Sequence, residues 1–183
     1  MLAYGMSQFK LAGELKITVK EAEALMVKYF TVFPKIGQTL TNLGGYGVQL
    51  GYIKTLAPFN RKRWFPEWEK VQDRIEYHLK RIQYNGILGT IERAAKNQPI
   101  QGSCADMMKY ALVLIRRYIN DNGLRHKVKL VMQVHDQATT ECHKDFAEEW
   151  KGIMTQLMEK AGKLIITSGI LKSDTNISPV WTK

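Results

Sequence analysis

From Val128 to Val134 the side chains alternate: Val128, Leu130, Met132 and Val134 fall on one face, Lys129, Val131 and Gln133 on the other. A period of two is that of a half-buried strand. After His135, Asp136 and Gln137, apolar or β-branched residues resume at Ala138, Thr139 and Thr140. Two such runs separated by a few polar residues read as a hairpin. Side chains at its bend would stand on a rigid support.

Elsewhere the period is helical. Thr18 precedes Glu21 by three residues, a capping-box spacing, with Ile17 placed as a staple residue and Ala22, Leu25, Met26 and Tyr29 following. Pro34 disfavours helical geometry at Phe33 and sets a boundary. A second helix should run from Lys35 into the forties, its end loosened by the glycines of LGGYGVQLG. GYIKTLAP at 51–58 reads as a short strand or hairpin arm. Over 67–84, Trp68, Val71, Ile75, Leu79 and Ile82 sit at helical spacing, as core contacts would. Residues 87–120 read as helix with a kink or break near Pro99–Gly102. Asp145 and Glu148 mark another helix start, running to Lys163, and LIITSGIL at 164–171 is a last strand candidate. The second half thus reads helix, strand, strand, helix, strand. That order predicts an α+β fold with an antiparallel sheet backed by helices.

A chain of 183 residues suits one ordinary domain or two small lobes, and 45% apolar content is globular. Purely apolar runs such as ALVLI at 111–115 are too short to span a bilayer, and MLAYGMSQFK lacks the pattern of a secretory leader. The expectation is no membrane partner. Cys104 and Cys142 form no CxxC pattern and read as reduced thiols of an intracellular protein. Charge changes the picture more. Twenty-seven Lys+Arg against 17 Asp+Glu give +10, which predicts attraction to polyanions, foremost nucleic acid. RKRWFP interleaves Arg61, Lys62 and Arg63 with Trp64 and Phe65. The cations can neutralise phosphates, and the rings can stack on bases or anchor the segment in a core.

A carboxylate at a hairpin bend of a basic protein, Asp136, can hold a divalent cation that bridges to phosphate oxygens. The plainer reading is that Asp favours turns. A metal site needs a partner acid, and Glu141 lies at an odd separation that would point it away on an unbroken strand. Arg93, Asn97 and Gln101 recur every four residues. They would share a helix face suited to phosphate and base edges, or simply to water.

Together three segments carry a resemblance. YGMSQFKLAGEL at 4–15, ERAAKNQPIQGSCAD at 92–106 and QVHD at 133–136 stand in the order and approximate spacing of the family A DNA polymerases. The chain resembles the C-terminal part of that family's polymerase domain, with 67–90 matching poorly. The resemblance implies a helical fingers remnant with a basic connector over 1–90 and part of a palm over 91–183, with a palm-like antiparallel sheet backed by helices. It implies that Asp136 is a metal-binding aspartate and that His135 lies near the primer terminus. Tyr4 resembles the tyrosine ending the fingers helix beside the templating base, and Gly5 and Ser7 continue that motif. Arg93, Asn97 and Gln101 match residues contacting template and primer around the new base pair. TLAPFNRKRWFP resembles a segment that usually reads Thr-x-x-Gly-Arg-x-Arg, with Asn60 at the glycine position. Gln137 stands where the family usually has Glu.

The implied cofactor is Mg²⁺, its second ligand supplied by a segment upstream of Met1. The implied partners are primer–template DNA, dNTP and an upstream polymerase fragment, in the cytoplasm of a bacterial or phage-infected cell. The triphosphate-gripping residues, the thumb and any exonuclease domain would also lie upstream. Two-metal transfer needs both ions beside the reacting groups, so the expectation is a split polymerase inactive as this chain alone. Two alternatives stay open: a DNA-binding or assembly remnant of the same fold, and an HD-type metal phosphohydrolase built on His78, His135–Asp136 and Asp145. The latter family is helical, which fits poorly with the strand-like run before His135.

Overall fold

The computed structural model describes residues 6–72, 81–169 and 171–181, without the side chains of 81–85. The chain is α+β, with long helices and short antiparallel strand pairs. It divides into two compact units. One holds the described residues up to Thr55 together with Asn60–Gln101, and the other holds Leu56–Phe59 and the residues from Gly102 onward. Among the described residues no helix is long and apolar enough to cross a membrane.

The first unit opens with α1 (Gln8–Leu15) and α2 (Val19–Val32). The expected capping box is present: the Glu21 N–H donates to Thr18 Oγ1 at 3.3 Å, and the Thr18 N–H donates to the Glu21 carboxylate at 2.9 Å. The Thr18 N–H and, at 2.8 Å, the Thr18 hydroxyl both donate to the Glu21 carboxylate, favour its charged form and hold its pKa below the usual value. A lowered carboxylate pKa stabilises the cap above the ordinary carboxylate range, and that contribution fades as acid protonates the group. Ile17 packs with Met6 and Met26 on a small core of Leu11, Ala12 and Ala22. Phe33 both ends α2 and opens α3 (Pro34–Leu50), with Pro34 in the first turn.

The glycines of α3 do not loosen it, contrary to expectation; the helix runs through them and stops at Gly51, whose φ of 70° ends it. The reason is packing. A Cβ on Gly47 would collide with the Cβ of Ala95, and one on Gly44 would lie 2.6 Å from Glu92 Cγ. The glycines are where α3 approaches α4 (Arg81–Asp121). Beside this contact, β1 (Tyr52–Lys54) and β2 (Lys62–Trp64) form an antiparallel ribbon. Ile53 and Phe65 bury against Ile91 and Ala95. Of the helical run expected over 67–84, the first residues form a 3-10 turn at Pro66–Lys70, with Trp68 Nε1 donating to the Val48 carbonyl and Val71 buried, the last open α4, and 73–80 lie outside the described residues. Ile75 and Leu79, and the side chain of Ile82, lie outside the described residues.

Of the kink or break expected near Pro99, a break does not occur: α4 continues across the proline. A proline inside a helix costs about 3 kcal/mol, through a lost hydrogen bond and a clash one turn back. Here tertiary burial outweighs that cost: α4 buries Ile91 and Ala95 before the proline and Met108, Ala111, Ile115 and Ile119 after it.

In the second unit, Leu56 donates its N–H to Ser103 Oγ at 2.8 Å and Phe59 rests edge-on against Tyr110. A 3-10 turn at Leu124–His126 leads into β3 (Val128–Val134), which pairs antiparallel with β4 (Gln137–Cys142). Another 3-10 turn, Lys144–Phe146, precedes α5 (Ala147–Ile165), close to the expected start and end. Ile115, Ile119, Val128, Trp150 and Met154 form the core. Trp150 Nε1 donates to Thr140 Oγ1 at 2.8 Å, tying α5 to β4. The last strand expected at 164–171 does not form among the described residues. Its first residues extend α5, and Leu171 then packs on Gly162 while Thr175 hydrogen-bonds Thr155. The segment is thus held by side-chain contacts to a helix, with no strand ladder.

Gly45 and Gly47 give a paired test of the helix contact. A Cβ on Gly45 would meet nothing within 4 Å, so Gly45→Ala should raise stability by up to about 1 kcal/mol through helix propensity. Gly47→Ala should lower it by about 1–3 kcal/mol through overpacking. Urea denaturation followed by circular dichroism measures both, and equal effects would refute the close approach.

Candidate functional site

The bend between β3 and β4 has only two residues, His135 and Asp136, because Val134 pairs directly with Gln137. Such tight connections favour positive φ, and His135 adopts it at 51°. The Gln133 side-chain amide donates to the His135 carbonyl and braces the turn. His135, Asp136 and Gln137 are all exposed, so the carboxylate stands in solvent on a short support.

A β-bulge sets how that support is aimed. Leu130 pairs with Thr140 but Met132 pairs with Thr139, which leaves Val131 without a partner. Cross-strand partners share a face. Val128, Leu130, Ala138 and Cys142 therefore face the core, as their packing shows. Met132 and Val134, opposite Thr139 and Gln137, turn to the other face with Val131, which is 62% exposed. The single apolar face expected over Val128–Val134 is thus split in two, since an extra residue shifts the pleat by one.

As a cation site the bend supplies one hard oxygen ligand. Among the described residues, no group of three His, Cys, Asp or Glu side chains is assembled. Mg²⁺ commonly takes one or two protein carboxylates and fills its remaining positions with water and phosphate oxygens. The donor set therefore fits Asp136 as one ligand of a shared site. Asp145 is engaged elsewhere, 3.5 Å from His143 Nδ1. Burial raises the Cys142 pKa and favours the protonated thiol.

In the first unit, Arg93, Asn97 and Gln101 lie along α4, with Arg93 and Gln101 exposed and Asn97 half-buried. Arg93 Nη2 donates to Thr90 Oγ1 at 3.2 Å. The Asn97 Oδ1 is buried with no hydrogen-bond partner among the described residues. The basic segment meets the same helix. Arg63 Nη1 donates to Gln98 Oε1 at 3.0 Å, and its guanidinium lies over the Phe65 ring. Gln98, buried and accepting that bond, carried no sequence signal because its partner is on a distant strand. Arg61 exchanges two hydrogen bonds with Thr55, and Asn60 takes a φ of 48°. Asparagine tolerates that left-handed geometry better than most residues, which accounts for its standing where a glycine is usual. Tyr4, Gly5 and His78 lie outside the described residues.

The α+β fold, with a helix-rich unit bearing a basic ribbon and a unit whose hairpin presents Asp136 to solvent, is similar to that of a solved polymerase domain. The solved structure titled "POL domain of Pol1 from M. smegmatis complex with DNA primer-template and dNTP" matches with a TM-score of 0.71 and 32% identity, over 87% of this chain and 25% of that one. The model of DNA polymerase family A matches residues 1–183, and the chain belongs to that family. DNA polymerase I of Caldicellulosiruptor bescii is 35% identical over 160 residues, which are 87% of this chain and 17% of that protein. DNA polymerase I of Geobacillus stearothermophilus is 32% identical over 180 residues, 98% of this chain and 18% of that protein. The chain therefore spans less than a fifth of the length of these two relatives. Family membership sets aside the HD phosphohydrolase alternative.

The turn geometry is open to test through stability. His135→Val should cost about 1–2 kcal/mol, because a β-branched side chain clashes at left-handed φ, whereas His135→Gly should stay within about 1 kcal/mol of the parent. Thermal melts of the two variants give the comparison, and equal losses would mean that φ at the bend is not the constraint.

Proposed function

We propose that the chain is the C-terminal portion of a template-directed DNA polymerase, and that an upstream polypeptide with the other catalytic aspartate completes it. Alone it does not polymerise. The observation carrying this reading is the exposed Asp136 on a two-residue bend in a chain of family A. The M. smegmatis domain, solved with DNA primer-template and dNTP, supports the same ligands here. The setting is the cytoplasm of a bacterial or phage-infected cell. In this reading residues 1–90 end the fingers and carry the basic connector, and 91–183 belong to the palm.

Asp136 would hold Mg²⁺, which supplies charge neutralisation at the phosphate oxygens in a two-metal transfer. His135 lies beside the primer terminus. Gln137 offers a neutral amide, able to orient water or phosphate by hydrogen bonds but without the charge of a carboxylate. Tyr4, Arg93, Asn97 and Gln101 contact the new base pair and the strands around it. Arg61, Lys62 and Arg63 neutralise backbone phosphates. The second reading, a DNA-binding remnant of the same fold, draws on the neutral Gln137 at the bend.

Supplying the upstream polymerase part separates the two readings. Restored single-nucleotide incorporation supports a split enzyme, and DNA binding without incorporation supports the remnant. In the restored enzyme, Asp136→Asn should lower incorporation at least about a hundredfold, because the missing interaction acts mostly in the transition state. DNA affinity should change little. Gln137→Ala should cost much less, and Gln137→Glu should keep or raise the rate. Near-full incorporation by Asp136→Asn would overturn the metal assignment.

Replacing Arg61, Lys62 and Arg63 together with Ala should flatten the salt dependence of primer–template binding, by about 0.9 in the log–log slope for each phosphate no longer neutralised. An unchanged slope would show that these residues neutralise no backbone phosphate.

A further inference from the structure

The basic connector does more than present cations, and the ribbon sorts its side chains by face. Cross-strand pairing sets Tyr52 opposite Trp64, Ile53 opposite Arg63 and Lys54 opposite Lys62. Alternation puts Ile53, Arg63 and Phe65 on the inner face, where Phe65 is 6% exposed and packs with Ile91 and Ala95. The outer face carries Tyr52, Trp64, Lys54 and Lys62. Trp64 is 61% exposed. Its ring centroid lies 4.9 Å from that of Tyr52, and the Lys62 ammonium sits 4.5 Å from the Tyr52 ring and 5.1 Å from the Trp64 ring. The sequence left open whether these aromatics stack or anchor. The structure divides the roles: Phe65 anchors and Trp64 is left to solvent.

We propose that this outer face is a docking site for single-stranded DNA. The Tyr52–Trp64 pair takes the face of an unpaired base, and Lys54 and Lys62 take the flanking phosphates. The inference rests on the polymerase reading and deepens it by assigning this face to an unpaired strand, such as a template extension. Three observations favour that occupant. Two aromatic rings with the Lys62 ammonium beside them, and Lys54 paired with Lys62 on the same face, match the π-face and phosphates of a nucleotide. The chain's net charge of +10 favours a polyanion. A base inside a duplex already has both faces covered by its neighbours, so an unpaired base, unlike an internal pair, offers a free face to Trp64.

The test uses the whole chain and fluorescence anisotropy with labelled DNA of two kinds: a blunt duplex, and the same duplex with a single-stranded extension. Trp64→Ala should weaken binding of the extended DNA at least about fivefold and leave the blunt duplex unchanged. Trp64→Phe should keep most of the affinity. For the unaltered protein, an extension of abasic sugar-phosphate should lose affinity as Trp64→Ala does, which guards against a variant that merely misfolds. Equal affinity of the unaltered protein for base-bearing and abasic extensions would overturn the proposal, as would equal weakening of both DNAs by Trp64→Ala. Those outcomes would leave the polymerase reading standing. Failure to bind either DNA, together with no incorporation in the presence of the upstream part, would count against both.

Discussion

The close approach of α3 to α4 at Gly47 and Ala95 is the constraint on which the first unit depends. With no side chain at Gly47 and a methyl at Ala95, the two helix backbones come near enough for Ile53 and Phe65 to close over Ile91. That closure fixes the inner face of the ribbon and so also its outer face. It also brings Arg63 within hydrogen-bonding range of Gln98. A larger residue at either position would push the helices apart and release the basic segment from the helix that carries Arg93, Asn97 and Gln101.

In the second unit the corresponding constraint is the bulge at Val131. One unpaired residue lets Val128 and Leu130 face the core while Met132, half-buried, and Val134, exposed, pair on the opposite face of the ladder. The strands then close through two residues, with His135 in a left-handed conformation that few side chains tolerate. The aspartate beside it inherits a defined position from the ladder below. A loose polar loop would hold the same carboxylate with more conformational freedom.

The two units carry different kinds of chemistry. The first presents cations, amides and aromatic rings, which suit backbone phosphate and base faces. The second presents one acid on a rigid bend. A single carboxylate can share a cation with substrate oxygens and a further ligand, but it cannot form a protein cage by itself. That division suits a chain spanning less than a fifth of the two DNA polymerase I relatives.

Local features were legible in the sequence wherever the physics is local. The Thr18–Glu21 capping box, the Phe33–Pro34 boundary, the hairpin around Asp136 and the start of α5 each depend on residues a few positions apart. The family resemblance, carried by three short segments, was likewise legible and is matched along the whole chain. What the sequence could not decide involved partners far away along the chain. Pro99 sits inside an unbroken helix because burial on that helix outweighs the local penalty. Gly44 and Gly47 of α3 are contact points because Glu92 and Ala95 lie against them, and the helix does not fray there. Residues 164–171 have strand-like composition, yet the first of them continue α5 and Leu171 packs back on Gly162 of that helix. Trp64 and Phe65 are adjacent and chemically alike; only the pairing of β1 with β2 and the core beneath them decide which is buried and which faces water.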